Sequence, residues 1–257
     1  MENLNEILRE LRREYNLDED RAHLMGLSDG GTGTFFHALS NTTPWASFCP
    51  FIGHPNVLNH EASRADGQFY AINLRNKPLF VANGLEDPLY PAEEVSLYLD
   101  LFRRAGAPLI YRPQEGGHNV RWWSELSGDI RSFQDQNPRI ALPDTLVWAS
   151  SDLERYGRAH WLVIEELGIT SNEGGVADEN ILELPVGFSP RRVRAFPRDL
   201  PGGYVELIRD GNTIRARTRG VRRFRLLLSA SQFDLTQPVT LEVNGRPPES
   251  RRLERDP

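Results

Sequence analysis

The chain has 257 residues, of which 39% are hydrophobic and 26% charged, and its formal net charge is −6. This length and composition are typical of a globular protein with one large domain or two modest ones, and they argue against a disordered or fibrous chain. The acidic balance gives no support for a nucleic-acid or membrane-surface binder. The single cysteine, Cys49, excludes an internal disulfide and a cysteine-based zinc site, and no apolar run approaches the roughly 18 residues that a membrane helix needs.

The N-terminal segment has the pattern of an amphipathic helix. Leu4, Ile7, Leu8 and Leu11 recur at helical spacing between charged residues, which predicts a helix over residues 3–15. Because this charged segment does not resemble a signal peptide, the cytoplasm is the default expectation and localisation is otherwise left open.

Strands and helices alternate through the first half of the chain. A short apolar strand at 21–25 leads into Gly26-Leu27-Ser28-Asp29-Gly30-Gly31, and a helix is predicted from there to about Leu39. The alternation continues with strands at 46–49, 78–82 and 109–111 and with helices at 91–105 and 122–134. This order of elements predicts a parallel α/β sheet.

The pattern changes after Asn137-Pro138. Turn residues, among them the strong hairpin signals Asp210-Gly211 and Asn244-Gly245, now separate short strand-like runs. The runs cover residues 145–148, 159–164, 192–196, 204–208, 213–217, 224–228 and 239–243. We therefore predict two domains, an α/β domain over 1–137 and a small antiparallel β domain over 138–257.

Ser28 lies in a G-x-S-x-G motif between a predicted strand and a predicted helix. A nucleophilic serine takes this form on a sharp strand-to-helix turn, where flanking glycines allow the two elements to pass closely. A serine hydroxyl becomes a good nucleophile only when a base takes its proton and a third group orients that base. The motif alone also arises by chance, so the partners decide its meaning.

Two later residues supply those partners in the order serine, acid, histidine. Asp87 follows the strand at 78–82, and His118 follows the strand at 109–111 in Gly116-Gly117-His118. Taken singly, Asp87 is equally explained as a turn former beside Pro88, and His118 as a loop residue facing water. The carboxyl ends of parallel strands meet at one sheet edge, so the joint pattern predicts a Ser28–His118–Asp87 triad.

Other chemistries have weaker support. None of the remaining histidines follows a strand where a base is needed, and core or surface positions are expected for His23, His37, His54, His60 and His160. Their spacing with acidic residues matches no metal motif, so we predict no metal. Gly31-Thr32-Gly33 begins like a dinucleotide fingerprint, but Phe36 occupies the third small-residue position, and no cofactor is predicted.

The segment from about residue 3 to 135 resembles the C-terminal half of an α/β-hydrolase catalytic domain. It is similar to esterases, polyhydroxyalkanoate depolymerases and prolyl-oligopeptidase (S9) enzymes at the turn 26–31 and the loops 83–87 and 116–118. The resemblance implies a serine hydrolase that cleaves a small-molecule ester, or a peptide bond, through an acyl-enzyme. It implies Ser28 as nucleophile, His118 as general base and then acid, Asp87 as its orienting acid, and the backbone N–H of Asp29 as an oxyanion donor.

The resemblance also implies that part of the domain is absent from this sequence. In the family several strands and a helix precede the nucleophile, and one of their loops supplies the second oxyanion N–H, whereas only 27 residues precede Ser28 here. A fragment or misplaced start, completion by another chain, and a decayed copy each explain this, and the first is our expectation. A decayed copy would leave the β domain, which more loosely resembles a C-terminal accessory module of such hydrolases, as a non-catalytic binding module.

The β domain is rich in arginine. Arginine alternates with other residues from Ile214 to Arg219 and recurs at 222, 223 and 225, which places several arginines on one strand face. An anion-binding surface is one explanation. A solvated face balanced by the acidic residues of the same half is favoured. Base stacking would require aromatic residues between the arginines, and few are present.

Overall fold

The computed structural model describes residues 2–63, 65, 68–168, 180–185, 191–196 and 202–253. A parallel sheet in the first half contains, in spatial order, β1 (Leu24–Leu27), β2 (Phe48–Phe51), β3 (Leu79–Val81) and β4 (Leu109–Tyr111). The helices around it are α1 (Glu2–Glu14), α2 (Asp29–Ser40), α3 (Ala92–Arg104) and α4 (Trp123–Gln136). The predicted parallel α/β class is therefore confirmed.

The first two strands begin two or three residues later than predicted. Before β1, the Asp18 side chain accepts a hydrogen bond from the N–H of Asp20 and caps a 3₁₀ turn over Glu19–Arg21. These residues are therefore not available to the strand. Pairing with the next strand starts where Ala46 N–H donates to the Ala22 carbonyl, but the regular ladder begins only at Phe48.

The two central strands of the sheet, β2 and β3, are covered on both faces, which explains their continuous apolar sequences. Phe48 and Leu79 pack with α2 and α3, whereas Cys49, Phe51 and Phe80 pack with the start and inner face of α4. Successive side chains of a strand point to opposite faces, so β2 and β3 need apolar residues at every position. The outer strands β1 and β4 are partly exposed.

Between β2 and β3 the chain forms three 3₁₀ segments that the sequence did not predict: Pro55–Asn59, Glu61–Ser63 and Ala71–Asn76. The last of them carries the buried side chain of Asn73. Its amide donates to the carbonyls of Leu39 and Ala149 and accepts from the N–H of Ala149. The Asn73 side chain therefore pairs with the backbone of Ala149 as a neighbouring strand would, and it joins the second half of the chain to the first.

Two further sheets share one core in the second half. The described elements of this half are β5 (Thr145–Ser150), α5 (Leu153–Tyr156), β6 (Arg158–Ala159), β7 (Leu162–Leu167), β8 (Ile181–Leu184), β9 (Arg191–Arg194), β10 (Gly203–Asp210), β11 (Thr213–Arg219), β12 (Val221–Leu226), β13 (Val239–Val243) and β14 (Glu249–Arg251). One sheet has the order β14-β13-β11-β10-β5 and the other β12-β7-β6, and Trp148, Trp161 and Leu207 lie in their common core. Strands β8 and β9 form a separate two-stranded sheet. The pairing is antiparallel as predicted, except that β11 and β13 are parallel.

Both predicted hairpin turns are found in this half. Gly211 has φ 57° between β10 and β11, and Asn244 and Gly245 have φ 52° and 69° between β13 and β14. These left-handed conformations are the ones that asparagine and glycine adopt in tight hairpins. In the described part of the chain, no helix is long and apolar enough to cross a bilayer.

The predicted single strand over 159–164 is wrong. His160 has φ 50°, which reverses the chain there and divides the segment into β6 and β7. The run at 192–196 does contain a strand, β9, whose partner β8 was not predicted. Leu182 and Phe196, in and beside this hairpin, belong to the core of the first half. The domain boundary at 137 stays a prediction, and contacts cross it at this hairpin and at Asn73.

Candidate active site

Ser28 occupies a strained turn between β1 and α2. Its φ of 56° and ψ of −117° lie outside the conformations that a non-glycine residue adopts without strain. The Ser28 N–H donates to the Phe51 carbonyl at 3.0 Å, and the Ser28 carbonyl accepts from the N–H of Thr32. The turn is thus held by the neighbouring strand and by the first turn of the helix.

Close backbone passage at this turn requires glycine at two positions. A Cβ on Gly26 would overlap the carbonyl group of Gly30, and one on Gly31 would overlap the carbonyl oxygen of Phe51. A Cβ on Gly30, in contrast, would meet nothing within 4 Å. The close approach of strand and helix therefore requires glycine at positions 26 and 31, whereas a side chain at position 30 would cause no clash.

The three predicted residues come together at the carboxyl ends of β1, β3 and β4. Ser28 Oγ lies 2.8 Å from Nε2 of His118, and Nδ1 of His118 lies 2.8 Å from Oδ2 of Asp87. The Asp87 side chain is fully buried, and His118 is 20% exposed. With the histidine proton on Nδ1, directed at the carboxylate, Nε2 is free to accept the serine proton.

The loops that carry the acid and the base are joined through their backbones. Leu85 N–H donates to the Gln114 carbonyl at 2.8 Å, and Glu86 N–H donates to the Gly116 carbonyl at 3.0 Å. A Cβ on Gly84 would overlap the carbonyls of residues 116 and 117. Glycine at 84 therefore permits the approach that brings the two side chains within hydrogen-bonding distance.

Tyr90 contacts Asp87, His118 and Asp29 and was not predicted from the sequence. Its N–H donates to Oδ1 of Asp87 at 3.0 Å, its ring stands edge-on to that of His118 at 5.3 Å between centroids, and its hydroxyl donates to Oδ1 of Asp29 at 3.2 Å. Burial, and then the nearby Asp29 carboxylate, raise the pKa of Tyr90, so the hydroxyl keeps its proton at neutral pH. Only its position three residues after Asp87 could have drawn attention to it.

Two cavities flank the serine. One of about 450 Å³ lies between the first turn of α2 and the 3₁₀ segments, with Asp29, Thr32, Val57, Leu58, His60 and Ser63 in its wall. The other, of about 210 Å³, is apolar and is lined by Met25, Leu27, Phe51, Val120 and Trp123. Space for a ligand therefore exists on both sides of the Ser28 turn.

The other histidines have the structural surroundings expected of them. His37 and His160 are 2% and 4% exposed, and burial lowers the pKa of each to about 4. Burial also lowers the pKa of His54, against the opposing effect of Glu94, and lowers that of His23, whose Nδ1 lies 2.7 Å from Ser47 Oγ. Among the described residues no group of histidine, cysteine and acidic side chains could hold a metal ion.

Several arginines of the second half lie close to acidic side chains. Arg222 lies 2.9 Å from Glu166, and Arg223 and Arg225 lie 3.1 and 2.7 Å from Glu165. Arg215 pairs with Glu242 across β11 and β13 in the same way. These cross-strand pairs fit the favoured interpretation of a charge-balanced, solvated sheet face.

Comparisons with known proteins find similarity to esterases. The chain is 33% identical over 101 residues to a bifunctional acetylxylan esterase/xylanase of Neocallimastix patriciarum, a match that covers 39% of this chain and 13% of that protein. Among solved structures, a thermostable esterase aligns with a TM-score of 0.44 and 21% identity over 53% of this chain and 36% of its own. The Bacillus cereus carboxylesterase aligns with a TM-score of 0.42 and 21% identity over 52% and 58%. No protein-family profile matches the chain.

This chain spans less than two thirds of the length of each of these relatives. The features that identify its fold are therefore its own: four parallel strands in sequential order, helices on both faces, and a strained serine turn between β1 and α2. Residues 2–137 form a parallel α/β fold whose strand order and serine turn agree with the predicted C-terminal half of an α/β-hydrolase sheet.

Proposed function

We propose that this chain is a serine hydrolase that cleaves a carboxylic ester through an acyl-enzyme. The observation that carries the proposal is the continuous line of hydrogen bonds from Ser28 Oγ through His118 to the buried Asp87. A hydroxyl, a base and an orienting carboxylate in this order are what nucleophilic catalysis by serine needs.

The proposed reaction has two halves. As Ser28 Oγ attacks the acyl carbon, its proton moves to Nε2 of His118, and the Asp87 carboxylate stabilises the imidazolium that forms. His118 then gives this proton to the oxygen of the leaving alcohol, and the bond between that oxygen and the acyl carbon breaks. A water molecule then attacks the acyl carbon and gives its proton to His118. The bond between this carbon and Ser28 Oγ breaks, His118 returns the proton to Oγ, and the carboxylic acid is released.

The start of α2 is placed to stabilise the negative charge that develops on the substrate carbonyl oxygen in the proposed reaction. Asp29 is the first residue of the helix, where backbone N–H groups have no acceptor within the helix and the helix dipole is positive. The Asp29 N–H is therefore our proposed oxyanion donor. A single donor of this kind is worth roughly 10²–10³ in rate.

An ester is preferred to a peptide bond as the substrate. The curated relative is named as an acetylxylan esterase, and the two solved structures are named as esterases. An acetyl ester of a hydroxyl compound is the first substrate class to try. Hydrolysis of an acyl-peptide analogue of the same acyl group is the direct test of the peptidase alternative.

Labelling with a fluorophosphonate probe, together with hydrolysis of 4-nitrophenyl acetate, tests the proposal. We expect the parent protein to be labelled and active and Ser28→Ala to be neither. Ser124→Ala, which removes an exposed hydroxyl on α4, is the matched control and should behave as the parent. If labelling or hydrolysis persists in Ser28→Ala, or is absent in the parent, the proposal is wrong, and the second result would favour the binding-module alternative.

A further inference from the structure

We propose that the cavity beside Asp29 binds a neutral, hydroxyl-bearing part of the substrate and that the Asp29 carboxylate selects against anionic substrates. This inference deepens the proposed function and rests on it for its link to catalysis. Its evidence is separate, however, because it concerns the wall of the cavity and not the triad.

The position of the cavity connects it with the reacting atoms. Asp29 directly follows Ser28, and its carboxylate accepts a hydrogen bond from the Tyr90 hydroxyl at 3.2 Å. The ring of Tyr90 lies 5.3 Å from that of His118. A group held in this cavity would therefore lie beside the residue that follows the nucleophile and would contact Asp29, which is hydrogen-bonded to Tyr90.

The lining offers hydrogen-bond acceptors, donors and apolar surface together. Among the described residues only the Tyr90 hydroxyl hydrogen bonds to the exposed Asp29 carboxylate, which leaves acceptor capacity directed at a ligand. His60 Nδ1 accepts from the N–H of Ala62, so Nε2 of the neutral ring is a donor. Val57 and Leu58 supply apolar wall. A polyol such as a sugar presents the hydroxyl and C–H groups that complement this set.

Charge on the ligand is disfavoured by the same lining. The residues described in the cavity wall include one carboxylate and neither lysine nor arginine, so the Asp29 carboxylate repels an anion placed beside it. A cation would find a single carboxylate, already shared with the Tyr90 hydroxyl, and no phenylalanine, tyrosine or tryptophan ring among the described wall residues. A neutral hydroxyl-bearing group is therefore the occupant that fits best.

A matched pair of sugar acetates tests this selectivity. The mono-acetates of methyl β-D-glucoside and methyl β-D-glucuronide differ in the replacement of a CH₂OH group by a carboxylate. We expect the parent protein to prefer the neutral ester in kcat/KM by about three- to tenfold, the scale of one exposed charge a few ångströms away. Asp29→Asn should remove most of this preference, whereas Glu93→Gln, an exposed acid at the start of α3, should keep it.

Binding to the Ser28→Ala variant keeps the inference separate from catalysis. Calorimetry should show methyl β-D-glucoside binding about three- to tenfold more tightly than methyl β-D-glucuronide, and the added Asp29→Asn change should make the two affinities equal. Equal affinity without that change, no saturable binding of either sugar, or an unchanged kcat/KM ratio in Asp29→Asn would overturn the inference. Selective binding without Ser28-dependent hydrolysis would support the cavity assignment and refute the proposed function instead.

Discussion

Asp87 fixes which nitrogen of His118 carries the proton, and Asp87→Asn tests that role. Oδ2 of Asp87 accepts from His118 Nδ1 at 2.8 Å, and Oδ1 accepts from the N–H groups of Leu89 and Tyr90 at 2.9 and 3.0 Å. An asparagine has only one acceptor oxygen, and that oxygen must face the two backbone donors, since an amino group there would oppose them. The new amino group then points at Nδ1, which has to accept, so the ring proton moves to Nε2.

This change of tautomer has a calculable cost. With its proton on Nε2, His118 cannot take the proton of Ser28, whose Oγ lies 2.8 Å away. The corresponding substitution in a serine protease lowers kcat about 10⁴-fold, which is about 5.5 kcal/mol in the barrier. The contacts to Leu89 and Tyr90 survive the change, so we expect the free energy of unfolding to fall by less than about 1.5 kcal/mol.

The assay compares kcat/KM for 4-nitrophenyl acetate with the rate of fluorophosphonate labelling. Asp87→Asn should lower both by about 10⁴-fold with little change in the urea midpoint. Glu86→Gln is the matched control. It removes the carboxylate next to Asp87 but keeps the backbone N–H of residue 86, which donates to the Gly116 carbonyl, and its activity should stay within twofold of the parent. If Asp87→Asn keeps more than a tenth of the parent activity, the orienting role is refuted.

Three further changes test the fold around the site, each by urea unfolding. Gly26→Ala forces a Cβ into the Gly30 carbonyl and should cost roughly 2 kcal/mol or more and abolish labelling, whereas Gly33→Ala, where a Cβ meets nothing within 4 Å, should be neutral or slightly stabilising. Asn73→Ala leaves the buried backbone groups of Ala149 without partners and should cost roughly 2–4 kcal/mol. Burial lowers the pKa of His37 to about 4, so the unfolded chain binds the proton more readily. The stability from this group is complete above about pH 6.5 and falls as the pH drops toward 4, and His37→Phe should make that fall shallower.

The sequence was sufficient where local chemistry determines the structure. The alternation of apolar strands and helical segments predicted the parallel sheet, and the glycines around residues 28, 84 and 118 marked its turns. Parallel strands bring their carboxyl ends to one edge, so three residues far apart in the chain could be expected to meet there. The hairpins at Gly211 and Gly245 followed from turn residues in the same way.

Long-range contacts and unusual backbone angles could not be predicted. The φ of 50° at His160 depends on its surroundings: its N–H donates to Thr43 Oγ1, and its Nδ1 lies 2.9 Å from the Ala141 carbonyl. Nothing local marks Asn73 as a substitute for a strand, because its partners lie 34 and 76 residues away. Strand β8 was not predicted, because its apolar side chains are buried through long-range packing against α3 and not through any local pattern.

The contacts of Tyr90 within the site could not be predicted from the sequence. Its backbone holds Asp87, its ring borders His118 and its hydroxyl holds Asp29, so one residue links the acid, the base and the cavity wall. A change of the Tyr90 ring would therefore disturb rate and selectivity together. Asp29→Asn retains the backbone N–H and the approximate side-chain shape, removes the charge and replaces one acceptor oxygen with an amino group. This difference is why the charge of Asp29, and not the ring of Tyr90, is the variable that can separate substrate selection from proton transfer.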